Sequence, residues 1–382
     1  MAGRLVITGM GVISALGSGV SENLAALREG RCGIAPVRFL ATSLQDLPAG
    51  EVPLSQEELG ALTGAPASWP RTTLLSIVAL QEALSQAGLP AAGLPLISGT
   101  TVGGMDLTEK TWPAFSPYHS CGKATDLAAR HLGLTGFATT LSTACSSAAN
   151  ALIFGANLLR TGYCQRVVCG GSECLTDYHY HGFHSLMILD REPCRPFDAF
   201  RAGLNLGEGA AYLVLETEES ALERGAKPLA VLSGWGNACD AFHQTASSEN
   251  GEGAFLAMQE ALTRAGLQPA DIGYVNAHGT GTPNNDASES AALRRVFGEH
   301  LPPVSSTKAA TGHTTSASGS IEAVFCILAL QEGFIPPQVH FLTPDPVCIQ
   351  PVTKLREERL RHVLCNAFGF GGNDTSLLFS AL

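Results

Sequence analysis

The chain has 382 residues, of which 45% are hydrophobic and 15% are charged, and its formal net charge is −11. This length predicts two to three domain-sized units, and the negative charge argues against nucleic acid as a partner. No run of about 18 apolar residues is present, which argues against a membrane-spanning helix.

The eleven cysteines are scattered along the chain, without CxxC pairs or zinc-site spacing. In a chain long enough to build its own core, they predict reduced, mostly buried thiols, no metal site and a cytoplasmic location. Residues 1–11 are apolar, broken by glycines and unlike a signal peptide, so they predict a first strand.

An amphipathic helix pattern that ends on a glycine occurs twice, as QEALSQAGL at residues 81–89 and QEALTRAGL at residues 259–267. In each copy the glycine is a predicted helix C-cap. Each helix is followed by a short loop, an apolar strand (residues 94–98 and 272–276) and a turn rich in glycine and threonine.

A second echo follows in the same order. Ser-Thr leads through Cys145 into a helix in the first copy, and Ser-Thr leads through Lys308 towards a helix in the second. Two internal repeats in the same order make chance similarity of Ala/Leu-rich helices the weaker explanation of the pattern. The repeats predict a duplicated α/β fold with pseudo-twofold symmetry. The seam is predicted near residues 222–227, which gives halves at 1–222 and 223–382.

The segment LSTACSSA at residues 141–148 surrounds Cys145 with small residues, and the apolar stretch 149–159 after it predicts a buried helix. Free N–H groups and the positive end of the helix dipole favour a thiolate at such a position. The same N–H groups can stabilise an oxyanion. A small buried core cysteine is the plain alternative.

Residues 276–286 read NAHGTGTPNND. A histidine at a strand end, followed by two glycines that allow a sharp turn, is expected to enter a cavity. His278 is therefore a candidate catalytic group, with Thr280 and Thr282 as supporting residues. A structural histidine is the alternative.

Residues 305–313 read SSTKAATGH and lead into a run of small residues. Small residues before an apolar helix indicate close backbone approach, hence burial of Lys308 and His313 rather than a solvated loop. A buried lysine requires a carboxylate, and Glu322 is the nearest candidate.

The segment NAFGFGGN at residues 366–373 follows a predicted strand at 362–365. Its glycines predict a tight turn. The backbone N–H groups around Phe370 and Gly371 are candidates for completing an oxyanion hole, and the Phe370 ring is a candidate gate to an apolar tunnel.

The order and spacing of these segments resemble the β-ketoacyl-acyl carrier protein synthases of the I/II type, from VITGMGV at residues 6–12 to FGGN at residues 370–373. The resemblance implies the thiolase fold, an α/β architecture of five αβαβα layers in two pseudo-twofold related halves. It also implies that Cys145 is the nucleophile, with its own backbone N–H and that of Phe370 as the oxyanion hole. His278, His313 and Lys308 complete the implied site.

The same resemblance implies a decarboxylative Claisen condensation of an acyl-enzyme thioester with malonyl-acyl carrier protein. Substrates then arrive on the phosphopantetheine arm of an acyl carrier protein, no further cofactor is required, and the enzyme is a dimer. Arg71 and Arg201 fall where the family places basic residues that dock the carrier protein. Val102 and Phe370 are expected to border the acyl pocket.

Departures from the housekeeping enzymes narrow the interpretation. The segment 182–196 is short, and residues 314–317 read TTSA. In its short segment 182–196 the chain is similar to ketosynthases of aryl polyene and flexirubin-type pigment pathways. This similarity implies an aromatic polyene-length acyl chain and a ketosynthase-like partner subunit. A non-catalytic chain-length-factor-type subunit is the alternative, but Cys145 with both histidines argues against it. A degradative thiolase is a further alternative, but it would need a second active-site cysteine in a glycine motif, and no other cysteine lies in a clearly matching one.

Overall fold

The computed structural model describes residues 3–382, which form thirteen strands and twelve α-helices. The strands are β1 Leu5–Ser14, β2 Gly17–Ser18, β3 Leu96–Gly99, β4 Ala138–Leu141, β5 Arg166–Glu173, β6 Gly209–Thr217, β7 Ala230–Cys239, β8 Tyr274–Asn276, β9 Val304–Ser305, β10 Phe334–Ile335, β11 Arg356–Glu357, β12 His362–Gly369 and β13 Asn373–Ser380. The helices are α1 Val20–Glu29, α2 Gln56–Thr63, α3 Arg71–Ala87, α4 Met105–Thr111, α5 Cys121–Leu132, α6 Ser147–Arg160, α7 Asp177–Ser185, α8 Glu218–Glu223, α9 Glu252–Ala265, α10 Pro283–Phe297, α11 Lys308–Thr311 and α12 Ser318–Glu332.

Two arrays of five strands have the same order and the same directions. The first is β4-β3-β5-β6-β1 and the second is β9-β8-β12-β13-β7. In each, the second strand pairs in parallel with both of its neighbours and the last two pairings are antiparallel. The arrays join where β1 pairs with β7 over two residue pairs. The predicted duplication is therefore confirmed; the division at residue 222 stays a prediction.

The helices form three layers around the two arrays. In the middle, α6 contacts β3 and β5 of its own half and β13 of the other, while α12 contacts β12 and also β1 and β6. Helix α12 is buried on every side from Ser318 to Leu330, as expected of a helix that is hydrophobic all round. On the outside, α3 covers the first array and α9 the second. This is the αβαβα arrangement that the sequence implied.

The last strand of each array, β1 in one and β7 in the other, approaches its outer helix so closely that only glycine fits. A Cβ atom on Gly11 of β1 would lie 2.1 Å from the carbonyl oxygen of Ala79 in α3. A Cβ atom on Gly236 of β7 would lie 2.0 Å from the carbonyl oxygen of Ala257 in α9. The same contact at the same place in both halves is a further mark of the duplication.

Local expectations agree with the structure except at strand starts. The predicted C-caps Gly88 and Gly266 are left-handed, with φ values of 63° and 68°. Strand β8 begins at Tyr274 rather than Ile272, because the 3₁₀ turn Pro269–Asp271 takes up the Ile272 N–H in a bond to the Pro269 carbonyl.

The eleven cysteines form no disulfide in the structure and seven of them are buried, which confirms that the thiols are mostly buried. Among residues 3–382, none of the helices combines the length and apolar character needed to cross a bilayer.

We expect Gly236→Val to lower the free energy of unfolding by about 1–3 kcal/mol, because the new side chain has no space between β7 and α9. Urea denaturation of the purified protein measures this, and Gly11→Val should behave alike. Gly122→Ala in α5 is the control, since its Cβ atom would meet nothing closer than 3.9 Å. Wild-type stability for both valine variants would contradict the packing described.

Candidate active site

The turn between β4 and α6 presents Cys145. Ala144 before it has a φ of 53°, a left-handed conformation that is uncommon outside glycine and is retained where the surroundings enforce it. The Ser147 hydroxyl enforces it here, by accepting from the Thr143 N–H at 2.9 Å and donating to the Ala144 carbonyl at 2.6 Å. Cys145 thus precedes a buried helix and is itself 5% exposed.

Two buried histidines line the same cavity as Cys145. His278 follows β8, and His313 lies between α11 and α12. Their ring centroids are 5.2 Å apart at an interplanar angle of 85°. Burial, followed by the charge of Lys308, holds the pKa of both imidazoles well below 6.5. Both rings are therefore neutral at physiological pH.

Two carboxylates of α10 hold the loop that carries His278. Glu289 accepts from the N–H groups of His278 at 2.9 Å and Gly279 at 2.8 Å. Asp286 accepts from the Thr280 N–H at 3.0 Å. Sequence analysis missed both acids. Their spacing of three residues at the start of a helix that follows a glycine-rich turn is the signal that could have identified them.

Lys308 and Glu322 form a buried ion pair beside the histidines. The Lys308 Nζ lies 2.5 Å from Glu322 Oε1, and both side chains are almost fully shielded from solvent. Burial raises the pKa of Glu322 to about 7, against the opposing effect of the lysine charge. The carboxylate that the sequence suggested as the lysine's partner occupies that position.

Burial also dominates the ionisation of Cys145. It raises the pKa of the Cys145 thiol to about 11, while the charge of Lys308 and the backbone N–H of Phe370 act in the lowering direction. The expectation that the helix N-terminus favours a thiolate at Cys145 is therefore wrong for the resting chain. Loss of hydration outweighs the nearby positive charge. The Phe370 N–H does approach the sulfur, as an oxyanion-hole donor should.

Two cavities meet at Cys145. The entrance cavity, about 340 Å³, is lined by both histidines and by the hydroxyl and amide side chains of Thr245, Ser247, Thr280, Thr282, Asn284 and Asn285. The second cavity, about 1000 Å³, is called the inner cavity, although it opens to solvent beside Trp112 and Phe115. It is lined by Val102, Met105, Thr108, Glu109, Trp112, Phe115, His119, Tyr178, His179 and Thr315, among others. Phe370 borders both cavities and stacks on Phe183, with ring centroids 5.8 Å apart.

The turn behind Phe370 depends on glycine. Gly371 and Gly372 have φ values of 84° and 77°, in the left-handed region where a side chain is strained. The Gly371 N–H donates to the Gln244 carbonyl at 2.8 Å.

Val102 lies in the wall of the inner cavity, as the sequence predicted. Phe183 and the buried His179 were missed, and nothing in their YHYHGF context distinguishes them.

The two arginines expected to dock a carrier protein are structural, and that assignment is wrong. Arg71 Nη2 lies 2.6 Å from Glu208, with the arginine side chain 10% exposed. Arg201 Nη1 lies 2.5 Å from Asp345 and its side chain is 7% exposed. A guanidinium already neutralised by a buried carboxylate is not available to an acidic partner.

Comparisons with known proteins agree with this geometry. A family described as "Beta-ketoacyl synthase, N-terminal domain" matches residues 2–221, and "Beta-ketoacyl synthase, C-terminal domain" matches residues 229–342. The chain is 35% identical to a 3-oxoacyl-[acyl-carrier-protein] synthase 2 of Synechocystis, over 98% of this chain and 97% of the relative. It is 37% identical to Nodulation protein E of Rhizobium meliloti, over 98% of each.

Solved structures give the same result. The ishigamide ketosynthase/chain length factor is 33% identical, with a TM-score of 0.93 over 100% of both chains. A ketosynthase in complex with its chain length factor from Xenorhabdus doucetiae is 30% identical, with a TM-score of 0.88 over 100% of this chain and 98% of that one.

A thiol with a pKa of about 11 is ionised in roughly one molecule in a thousand at pH 8. We expect alkylation of Cys145 by iodoacetamide to rise about tenfold per pH unit between pH ~7 and ~10 without levelling off. Peptide mass spectrometry of Cys145 measures this rate, with free N-acetylcysteine as the control for the reagent. A plateau near pH ~8 would mean that the helix N-terminus outweighs burial.

Proposed function

The chain belongs to the β-ketoacyl synthase family, and we propose that Cys145 carries its acyl chain as a thioester during condensation. The enzyme is a β-ketoacyl-acyl carrier protein synthase, an acyltransferase of fatty acid or polyketide elongation. The observation that supports the assignment of roles is the meeting of two cavities at Cys145, with two neutral imidazoles beside it.

In the first step, the Cys145 sulfur attacks the carbonyl of an acyl thioester. The oxyanion of the tetrahedral intermediate accepts hydrogen bonds from the backbone N–H groups of Cys145 and Phe370. The carrier thiolate leaves and receives the proton of the cysteine thiol, so the step is an exchange of one thioester for another. The raised pKa of the thiol supports a proton that leaves during attack rather than before it.

In the second step, a malonyl thioester takes the carrier's place and loses carbon dioxide. His278 and His313 donate hydrogen bonds to its thioester oxygen, on which the enolate charge develops. The enolate carbon attacks the acyl carbonyl on Cys145, and the cysteine sulfur leaves with the electron pair and takes a proton from water. Decarboxylation supplies the carbanion, so the proposal needs no strong base and no cofactor beyond the carrier's arm.

Lys308 acts through its field rather than by moving protons. Its ammonium is bound to Glu322 in a buried pair, and its charge lowers the pKa of Cys145, His278 and His313 alike. Burial, with that field added to it, keeps the imidazoles neutral, as N–H donors to an oxyanion must be if they are not to transfer a proton.

The entrance cavity is suited to a phosphopantetheine arm on a carrier protein. Its hydroxyl and amide side chains, among them Thr280, Thr282 and Asn284, match the amide groups of such an arm. We therefore assign the carrier to this mouth. The chain's eleven free thiols support a reducing, cytoplasmic setting.

The inner cavity supports an aromatic or conjugated acyl chain rather than a plain alkyl chain. Residues Met105, Thr108, Glu109 and Trp112 of α4 and its end follow i, i+3, i+4, i+7 spacing and all line it. Polar and aromatic groups on one helix face suit a flat π-system with a polar end. We propose an aryl polyene-length acyl group as the substrate.

The inner cavity also supports a dimer, with itself or with a ketosynthase-like subunit. Trp112 and Phe115 in its wall are 68% and 64% exposed, a degree of exposed aromatic surface typical of interfaces. Two similar solved structures pair a ketosynthase with a chain length factor. Since Cys145, His278 and His313 share one site, we propose the catalytic member of such a pair rather than the non-catalytic one.

We expect Cys145→Ala and Cys145→Ser to gain no acyl mass after incubation with acyl-carrier thioesters, because no thiol remains to be acylated. His278→Ala and His313→Ala should still gain the acyl mass but lose condensation by at least about 10²-fold. Intact-protein mass spectrometry and product analysis with malonyl-carrier measure the two steps.

Cys164→Ser, at a half-buried thiol outside both cavities, is the matched control and should be acylated normally. An acyl adduct or condensation product in Cys145→Ala would disprove the mechanism. An unacylated wild type that becomes active when a ketosynthase-like partner is added would locate catalysis in the pair.

For the substrate, we expect an aryl polyenoyl carrier thioester to acylate Cys145 about tenfold faster than a saturated one of equal length. Trp112→Leu should reduce this preference because it removes a ring from the cavity wall. Phe137→Leu, which changes an exposed ring outside both cavities, should not. Equal rates for both thioesters in the wild type would favour ordinary fatty acid elongation.

A further inference from the structure

Glu173 ends β5 as a fully buried carboxylate that accepts hydrogen bonds from neutral groups alone. Its Oε1 accepts from Thr100 Oγ1 at 2.6 Å and from the Val102 N–H at 3.1 Å. Its Oε2 accepts from the Thr101 N–H at 2.8 Å, from the Thr101 hydroxyl, and from Ser316 Oγ at 2.5 Å. Within residues 3–382, no lysine, arginine or histidine forms an ion pair with it.

The neighbouring strand shows what a structural carboxylate looks like in this fold. Glu216 of β6 is equally buried, but Arg224 and Arg166 pair with it. Burying a carboxylate without a cation is costly, and hydrogen bonds to the charged form are what offset the cost. Glu173 therefore depends on the two segments that donate to it, and they depend on it.

Both donor segments are walls of the inner cavity. Thr101 and Val102 follow β3, and Thr315 lies two residues after His313; all three border the cavity that begins at Cys145. One carboxylate thus joins two stretches of wall that are more than 200 residues apart in the sequence.

The backbone of Thr315 is strained where the two wall segments meet at Glu173. Its φ of 45° is left-handed, an outlier for a β-branched residue. Such a conformation persists where the surroundings over-determine it. Ser316 and, at 3.5 Å, the Thr315 hydroxyl bind Glu173 Oε2, so the carboxylate helps to fix this turn.

We propose that Glu173 is a positioning residue that sets the width of the inner cavity next to the acyl thioester, and through it the choice of acyl chain. When the carboxylate is lost, Thr315 relaxes and the Thr101–Val102 turn shifts, so the cavity wall no longer discriminates between chains. This inference rests on the proposed function, because it assumes that the acyl group on Cys145 occupies the inner cavity.

The test compares Glu173→Gln with Glu216→Gln, a matched change at a buried carboxylate outside both cavities. Acylation of Cys145 is measured by intact mass with a short and a long acyl-carrier thioester, and the ratio of the two kcat/KM values is the readout. Both variants should be less stable to urea. We expect the ratio to change about tenfold in Glu173→Gln and to stay at the wild-type value in Glu216→Gln.

Ser316→Ala removes one donor and leaves the carboxylate in place. It should shift the ratio in the same direction by a smaller factor, and the double variant should shift it no further than Glu173→Gln alone. If Glu173→Gln does not fold, Ser316→Ala decides the question. A wild-type ratio in every folded variant at these positions overturns the inference. A wild type that is never acylated at Cys145 overturns the proposed function instead.

Discussion

The buried charge of Lys308 is the interaction on which the chemistry of this site depends. A lone ammonium could not be retained in the interior, and Glu322 at 2.5 Å is what holds it there. Its field acts on three groups at once. At the Cys145 thiol it acts to lower the pKa, against burial, which raises it. At both histidines burial is the larger cause of the lowered pKa, and the field of Lys308 adds to it.

The duplicated fold divides the work between equivalent positions. Cys145 follows β4 in the first half, and Lys308 follows β9, the corresponding strand of the second. Glu173 ends β5, and Phe370 follows β12, its counterpart. The carboxyl ends of parallel strands are where α/β sheets bind ligands. Here two such ends face each other across α6 and α12, and each half contributes different chemistry to one site.

The residues that meet at the candidate site were predictable because each is in a short segment with its own glycines or small residues. Cys145, His278, Lys308 and Phe370 are all of this kind, and the helix caps at Gly88 and Gly266 follow from local rules as well. Groups defined by distant contacts were not predictable in that way. Glu173 receives donors from two segments of chain, and no pattern around it marks that role.

The errors have the same origin. Arg71 was assigned to a docking surface from the resemblance, and no local pattern showed its partner Glu208, which lies 137 residues further along the chain. Cys145 was expected to ionise easily because a helix N-terminus is visible in sequence, whereas the depth of burial that raises its pKa is set by both halves together.

The central layer has a consequence for how the chain is made. Helix α6 belongs to the first half but packs on β13 of the second. While the ribosome is still synthesising the second half, one face of this apolar helix has nothing to cover it. Exposed apolar surface of this kind is what makes incomplete chains of larger proteins prone to aggregation. Helix α12 and strand β13, both of the second half, complete the packing around α6.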